Sequence, residues 1–275
     1  MKILKLSNLD SFFFIKAMEN PIGIFDSGIG GISILEKLKQ LLPNENFIYL
    51  ADNRNCPYGS KSKKEILSLS DKNCKKLIEF NCKIIIIACN TSTTNSIQKL
   101  REMISLPIVG IEPGLKPAIN YTKTKNIGVL ATEKTLGSKL FFETLNKNKI
   151  DDINIHEQIG YELVNMIEEG LNSKKNLYKI LKSYLTPMIN KNIDCLLLGC
   201  THFNHIKDII KEILPKNIKI VDTINPVNKH VLNKLKFKNI LNKSKNKRFI
   251  KVFYNGKKLS SNYLDKEYEL SYLEF

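Results

Sequence analysis

The sequence predicts an α/β protein: two pseudo-symmetric α/β domains with mainly parallel sheets and an active site in the cleft between them. Three observations carry this expectation. From Pro21 onward, short apolar runs alternate with stretches of helical periodicity, the pattern of a parallel sheet with helices on its faces. The second half of the chain repeats the element order of the first. Two apolar runs also end alike, in a small residue, a cysteine and then hydroxyl-bearing residues: "KIIIIACNTSTT" (Lys83 to Thr94) and "DCLLLGCTHF" (Asp194 to Phe203).

The elements follow in order. "IGIF" (Ile22 to Phe25) is a strand, followed by the glycine-rich turn "DSGIGG" and a helix bearing Ile34, Leu35, Leu38, Leu41 and Leu42 that stops at Pro43. "FIYLAD" is the next strand. Ser62 and Glu65 have the spacing of a capping box before a helix. "IIII" is a third strand leading to Cys89, a helix carrying Ile97, Leu100 and Ile104 follows, and "PIVGIE" is a fourth strand. In the second half, "NIGVLATEKTLGS" (Asn126 to Ser138) aligns with "PIGIFDSGIGGIS" (Pro21 to Ser33), setting Gly128 against Gly23 and Thr132 against Ser27. After each cysteine come a helix, a proline (Pro107, Pro215) and a β-rich stretch ("IVGIE", "IKIVD"). This order reads as an old duplication. At the end, "FIKVFYNG" reads as a strand and turn, and "LDKEYELSYLEF" as a helix packing back on the first domain. The expected division is an N-terminal extension over 1–20, a first domain over 21–114 plus 222–275, and a second over 115–221.

Composition narrows the function. The net charge of +16 comes from lysines scattered along the chain, with arginine only at positions 54, 101 and 248. Surfaces that read nucleic acid are clustered and usually arginine-bearing, so nucleic-acid binding is not expected. No apolar run approaches the roughly 20 residues of a membrane helix. The N-terminus is interrupted by Asp10 and has no small-residue cleavage site, so a cytoplasmic protein is expected. Six cysteines without a secretory signal read as free thiols. Cys74 shares a helix face with Ile66, Leu67, Ser70, Leu77 and Ile78 and reads as core, as do Cys56, Cys82 and Cys195.

Cys89 and Cys200 read differently. In open α/β sheets, functional residues collect beyond the carboxyl ends of strands. Each cysteine sits at such an end and at the start of a helix, where backbone N–H groups and the helix dipole favour thiolate. Two thiols approaching one bound molecule from opposite faces can take a proton from one side of a carbon and deliver one to the other, inverting a stereocentre. Other chemistries lack their signatures. There is no Cys-x-x-Cys redox pair. Cys195, Cys200, His202 and His205 lack the compact pairing of a zinc site, and no lysine context suggests a pyridoxal Schiff base. "DSGIGG" has neither the Rossmann nor the P-loop spacing. No cofactor and no metal are expected. Asp26 by itself could be only a helix cap; His205 and His230 read as structural or solvent-facing.

The chain resembles the glutamate racemase group of the cofactor-independent aspartate/glutamate racemase superfamily. The resemblance rests on "IFDSGIGG" (Asp26, Ser27), "PYGSKS" (Tyr58, Gly59), "ACNTSTT" (Cys89, Asn90, Thr91), "GIEPG" (Ile111 to Gly114), "LVNMIEEG" (Glu168) and "LLLGCTHF" (Cys200, Thr201, His202). It implies that Cys89 takes the α-proton of D-glutamate and Cys200 that of L-glutamate. It further implies that Asp26 assists Cys89 while His202 and Glu168 assist Cys200. Asn90, Thr91, Thr201, Ser27, Tyr58 and Gly59, with Asp26 and His202, would hold the substrate. A homodimer supplying D-glutamate for peptidoglycan is implied, with glutamate as the small-molecule partner. There are departures. "VDTINPV" (Val221 to Val227) stands where Asp-Ser-Gly is usual, Asn204 and His205 stand where proline and leucine are common, and the first twenty residues precede the usual start, making Met18 an alternative beginning. Three other readings remain: an aspartate-specific relative, a group that tends to carry Glu where His202 stands, a basic nucleic-acid- or topoisomerase-binding protein, and a degraded enzyme of a reduced genome. Binding alone would not need the thiols.

Overall fold

The structure, a computed structural model, describes residues 18–112, 114–147, 152–171, 173–244 and 246–275. The N-terminal extension therefore lies almost wholly outside the described residues, as does Pro113 of "GIEPG".

The first half builds β1 (Ile22–Asp26), α1 (Ile32–Leu41), β2 (Phe47–Ala51), α2 (Lys63–Glu79), β3 (Ile84–Ile87), α3 (Asn90–Met103) and β4 (Ile108–Gly110). The second half begins with α4 (Leu115–Tyr121), β5 (Asn126–Ala131), α5 (Glu133–Leu136), α6 (Lys139–Lys147) and β6 (Asn154–Ile159). It continues through α7 (Leu163–Glu168), α8 (Lys174–Asn190), β7 (Cys195–Gly199), α9 (Lys207–Ile213) and β8 (Lys219–Val221). The chain then returns through α10 (Ile224–Phe237), which packs on α1, and ends in β9 (Ile250–Tyr254) and β10 (Glu269–Tyr272).

Two parallel sheets result, ordered β10-β9-β2-β1-β3-β4 and β6-β5-β7-β8. The sequence repeat is visible in them. β1 lies between β2 and β3 as β5 lies between β6 and β7, and each sheet continues by one strand beyond the cysteine-bearing one. β1, β2, β3 and β7 are buried along their whole length. Helices cover both faces, so these strands are continuously apolar rather than alternating. Ser62 caps α2 with both bonds of the capping box. The consequence for function is positional: Cys89 follows β3 and Cys200 follows β7, at equivalent carboxyl ends.

Two expectations are corrected. Residues 269–272 form a strand, not a helix. Tyr268, Leu270 and Tyr272 alternate with Glu269 and Ser271 at the strand period, and the open edge of β9 accepts them as a parallel neighbour. On α2, Ile78 is exposed and Asn73 occupies the buried face beside Cys74. No described helix is long and apolar enough to cross a membrane.

Candidate active site

Cys89 is the N-cap of α3, and both it and Cys200 are buried. The Cys89 sulfur accepts from Ser92 N–H at 3.4 Å and contacts the Ser27 hydroxyl at 3.7 Å. A helix N-terminus was expected to favour thiolate here. The structure differs: burial first, then the charge of Asp26, push the Cys89 thiol up to about 12, against the smaller opposing effect of Ser92 N–H. Desolvation of a full negative charge outweighs one amide and a helix dipole. The charge of Cys200 also raises it, so the two sulfurs lie within electrostatic reach of each other.

Cys200 heads a 3₁₀ turn, Thr201–Ile206. Its sulfur lies 3.9 Å from Nδ1 of His202, whose Nε2 lies 2.6 Å from Glu168 Oε1. The same carboxylate oxygen accepts from Ile29 N–H at 2.8 Å, across from the second half to the first. The glycine-rich turn makes this possible, because a Cβ on Gly28 would fall 1.8 Å from Glu168 Oε1. Burial opposes a charge on His202, but hydrogen bonds with Cys200, Cys56 and Glu168 carry its pKa well above the ordinary histidine value. The His202 ring is held between the Cys200 sulfur and the Glu168 carboxylate.

That raised pKa stabilises the fold in a definite pH window. The contribution is complete below the unfolded histidine value of about 6.5 and is lost as pH rises through the higher folded value. Glu168→Gln should therefore cost about 3–5 kcal/mol near pH 6 and progressively less as pH rises through the folded His202 value. Urea denaturation of both proteins across that range checks it; a cost independent of pH would refute the coupling.

Asp26 is fully buried and joins the two halves. One oxygen accepts from Gly28 N–H at 2.9 Å and the other from the Thr201 hydroxyl at 3.0 Å. Burial raises its pKa, with the charge of His202, Gly28 N–H and Thr201 acting against the rise. Asp26 thus bonds beside Cys200 and reaches Cys89 through its charge.

The remaining predicted site residues divide. The Tyr58 hydroxyl donates to Asp52 and is met by Asn73 Nδ2, so it is spent within the protein, while the ring packs against Cys89. Gly59 presses on Thr132, and both line a cavity of about 310 Å³ together with Pro57, Gly160 and Tyr161. Thr91 shares its hydroxyl with Thr132 at 2.8 Å and Thr135 at 3.4 Å. Asn90 is buried with neither amide atom partnered. Buried polar groups are nearly always paired, so this amide stands out.

Sequence reasoning missed Cys56, Thr132 and Thr135. Cys56, read as core, is largely but not fully buried, and its sulfur, a His202 ring nitrogen and a Glu168 oxygen all lie within 4.8 Å of one another. Its signal was its place directly before "PYG". Thr132 carried one too, since the repeat sets it against Ser27. Cys195, in contrast, is a true core thiol, contacting the Ala118 carbonyl at 3.8 Å.

A family model described as Asp/Glu/Hydantoin racemase matches residues 22–227. The chain belongs to that family and is an isomerase. Among individual proteins it is 42% identical over 211 residues to glutamate racemase of Ralstonia pickettii, covering 77% of this chain and 74% of that one. It superposes on a glutamate racemase isoform of Bacillus anthracis with a TM-score of 0.85 at 28% identity, covering 94% and 98% of the two chains. With glutamate racemase of Francisella tularensis in complex with D-glutamate, the TM-score is 0.80 at 29% identity over the same shares.

Proposed function

We propose that the chain interconverts L- and D-glutamate, with Cys89 and Cys200 as the two bases. The observation that carries this reading is the placement of two buried thiols at equivalent strand ends of the two halves, each with its own polar partners. The similarity to glutamate racemases, one of them bound to D-glutamate, supports the choice of substrate. By the resemblance, the product serves peptidoglycan synthesis, and the enzyme works in the cytoplasm as a homodimer without cofactor.

The geometry suits proton exchange across one carbon. With L-glutamate, Cys200 takes the α-proton as thiolate and Cys89, held as a thiol by its burial, delivers its own proton to the opposite face. The products are D-glutamate, a protonated Cys200 and a deprotonated Cys89, ready for the reverse reaction. His202 lies close enough to Cys200 to relay its proton. The α-carbon is a very weak acid, so the developing carbanion depends on fixed dipoles in a site closed to water. The Asn90 amide supplies one such dipole for the substrate's carboxylate or ammonium group.

Incubation with L-glutamate in D₂O, with EDTA and no added cofactor, tests the reading. Loss of optical rotation with deuterium entering the α-carbon is expected. A folded, reduced protein that exchanges neither enantiomer refutes it, and aspartate would then be tried. Asn90→Ala gives a second expected result. It removes a buried, unpaired amide, so stability should hold or rise by about 1 kcal/mol, while KM for glutamate rises about tenfold or more. Thermal melts and steady-state kinetics separate the two effects; an unchanged KM would remove Asn90 from the site.

A further inference from the structure

Cys56, His202 and Glu168 bring a thiol, an imidazole and a carboxylate to one point, and they do so from three separate segments. Glu168 ends α7, and His202 lies in the turn after β7. Cys56 lies in the loop after β2. That loop is held by bonds at its root: Asp52 accepts from Asn55 Nδ2 at 2.8 Å and from Asn255 Nδ2 at 2.6 Å. The two-thiol chemistry has no use for Cys56, which nevertheless sits beside the imidazole that serves Cys200.

We propose that these three side chains form an inhibitory site for a thiophilic divalent cation of the zinc type. Thiolate, imidazole and carboxylate are the three zinc donors, whereas magnesium and calcium take oxygen ligands and would not be drawn to this set. The donor atoms lie within 4.8 Å of one another. A tetrahedral ion with bonds of about 2.0–2.3 Å needs its donors about 3.3–3.6 Å apart. The Cys56 sulfur moves inward, and the 2.6 Å His202–Glu168 contact opens by about 1 Å or less. Three protein ligands leave a fourth position for water.

Metal binding here competes with catalysis for the same groups. An ion on Nε2 of His202 replaces the proton shared with Glu168 and leaves Nδ1 facing Cys200 on a ring that can no longer pick up a second proton. The enzyme would then lose the group that relays protons on the Cys200 side. This effect on turnover rests on the functional reading above; the binding itself does not. The ion is thus no cofactor of the reaction but a brake on it.

Anaerobic titration of the reduced, full-length protein with Co²⁺ tests the site, because tetrahedral cobalt shows intense d–d bands and a thiolate-to-metal charge-transfer band. One equivalent is expected to bind with both signatures and to be displaced by Zn²⁺. Cys56→Ser should lose the charge-transfer band and bind at least about tenfold more weakly. In the wild-type protein, Zn²⁺ should shield Cys56 from iodoacetamide, read by peptide mass spectrometry, which keeps the test sharp even if the variant folds poorly. The ratio of racemisation rates in EDTA and in Zn²⁺ should fall toward one in Cys56→Ser. A weak octahedral spectrum, an unshielded Cys56, or a charge-transfer band that survives in Cys56→Ser and disappears in Cys200→Ser would overturn the proposal. A protein that binds Co²⁺ as described but never racemises glutamate in EDTA would keep the metal site and lose the functional reading.

Discussion

Cys89→Ala and Cys200→Ala should each lower racemisation by about 10³-fold or more, yet each should leave one enantiomer able to exchange its α-proton with solvent. The reason is that each thiol carries a single proton and serves one face. Without Cys89, the Cys200 thiolate can still take the proton of L-glutamate, trade it with solvent and return deuterium to the same face. L-glutamate should therefore label with retention while D-glutamate stays inert, and Cys200→Ala should show the mirror image. Because the two enantiomers have equal free energy in water, kcat/KM must fall equally in both directions for either variant. Asymmetry can appear only in the exchange, or in kcat and KM taken separately. Chiral chromatography for inversion and proton NMR for α-deuterium measure the two independently. If either variant labels both enantiomers, a single base is reaching both faces and the two-thiol reading fails. If both variants still racemise at wild-type rates, the thiols are not the bases.

The chain announces much of this site. Apolar runs of four or five residues, fully buried in the structure, mark the strands, and the matching run-ends mark the two cysteines. The helix-capping Ser62 and Glu65 were legible because a capping box is a contact within four residues. What was not legible depends on partners far away in sequence. Nothing near Cys56 says that the loop after β2 will meet α7 and the turn after β7, more than a hundred residues on. The same distance governs Cys89: its local helix start favours thiolate, but burial and the charge of Asp26, which the fold supplies, dominate. β10 reads as a helix in the sequence because its period-two pattern is short and its partner, the edge of β9, is set by the fold. The half-to-half contacts, Thr91 to Thr132 and Asp26 to Thr201, likewise exist only once the two units face each other.

Gly28→Ala should impair turnover far more than a single added methyl group usually does. The new Cβ would lie 1.8 Å from Glu168 Oε1 and 2.6 Å from its carboxyl carbon, so the carboxylate must leave. It would give up Ile29 N–H and the His202 ring together. His202, buried and no longer paired, would lose the partner that helps raise its pKa, and the "DSGIGG" turn would part from α7. A shift of about an ångström in a group that positions a catalytic residue costs on the order of 10²-fold in rate, and forced overpacking costs about 1–3 kcal/mol in stability. The mechanism can be separated from general damage by a double-mutant cycle. Glu168→Ala removes the obstructing side chain, so Gly28→Ala combined with Glu168→Ala should be as stable as Glu168→Ala alone, while its activity stays as low as that of Glu168→Ala. Gly137→Ala is the control, since its Cβ would meet only the Glu133 carbonyl at 3.4 Å. If Gly28→Ala proved as harmless as that control, or if removing Glu168 failed to relieve it, the turn would not be holding Glu168 against His202 and the stated origin of the raised imidazole pKa would be wrong.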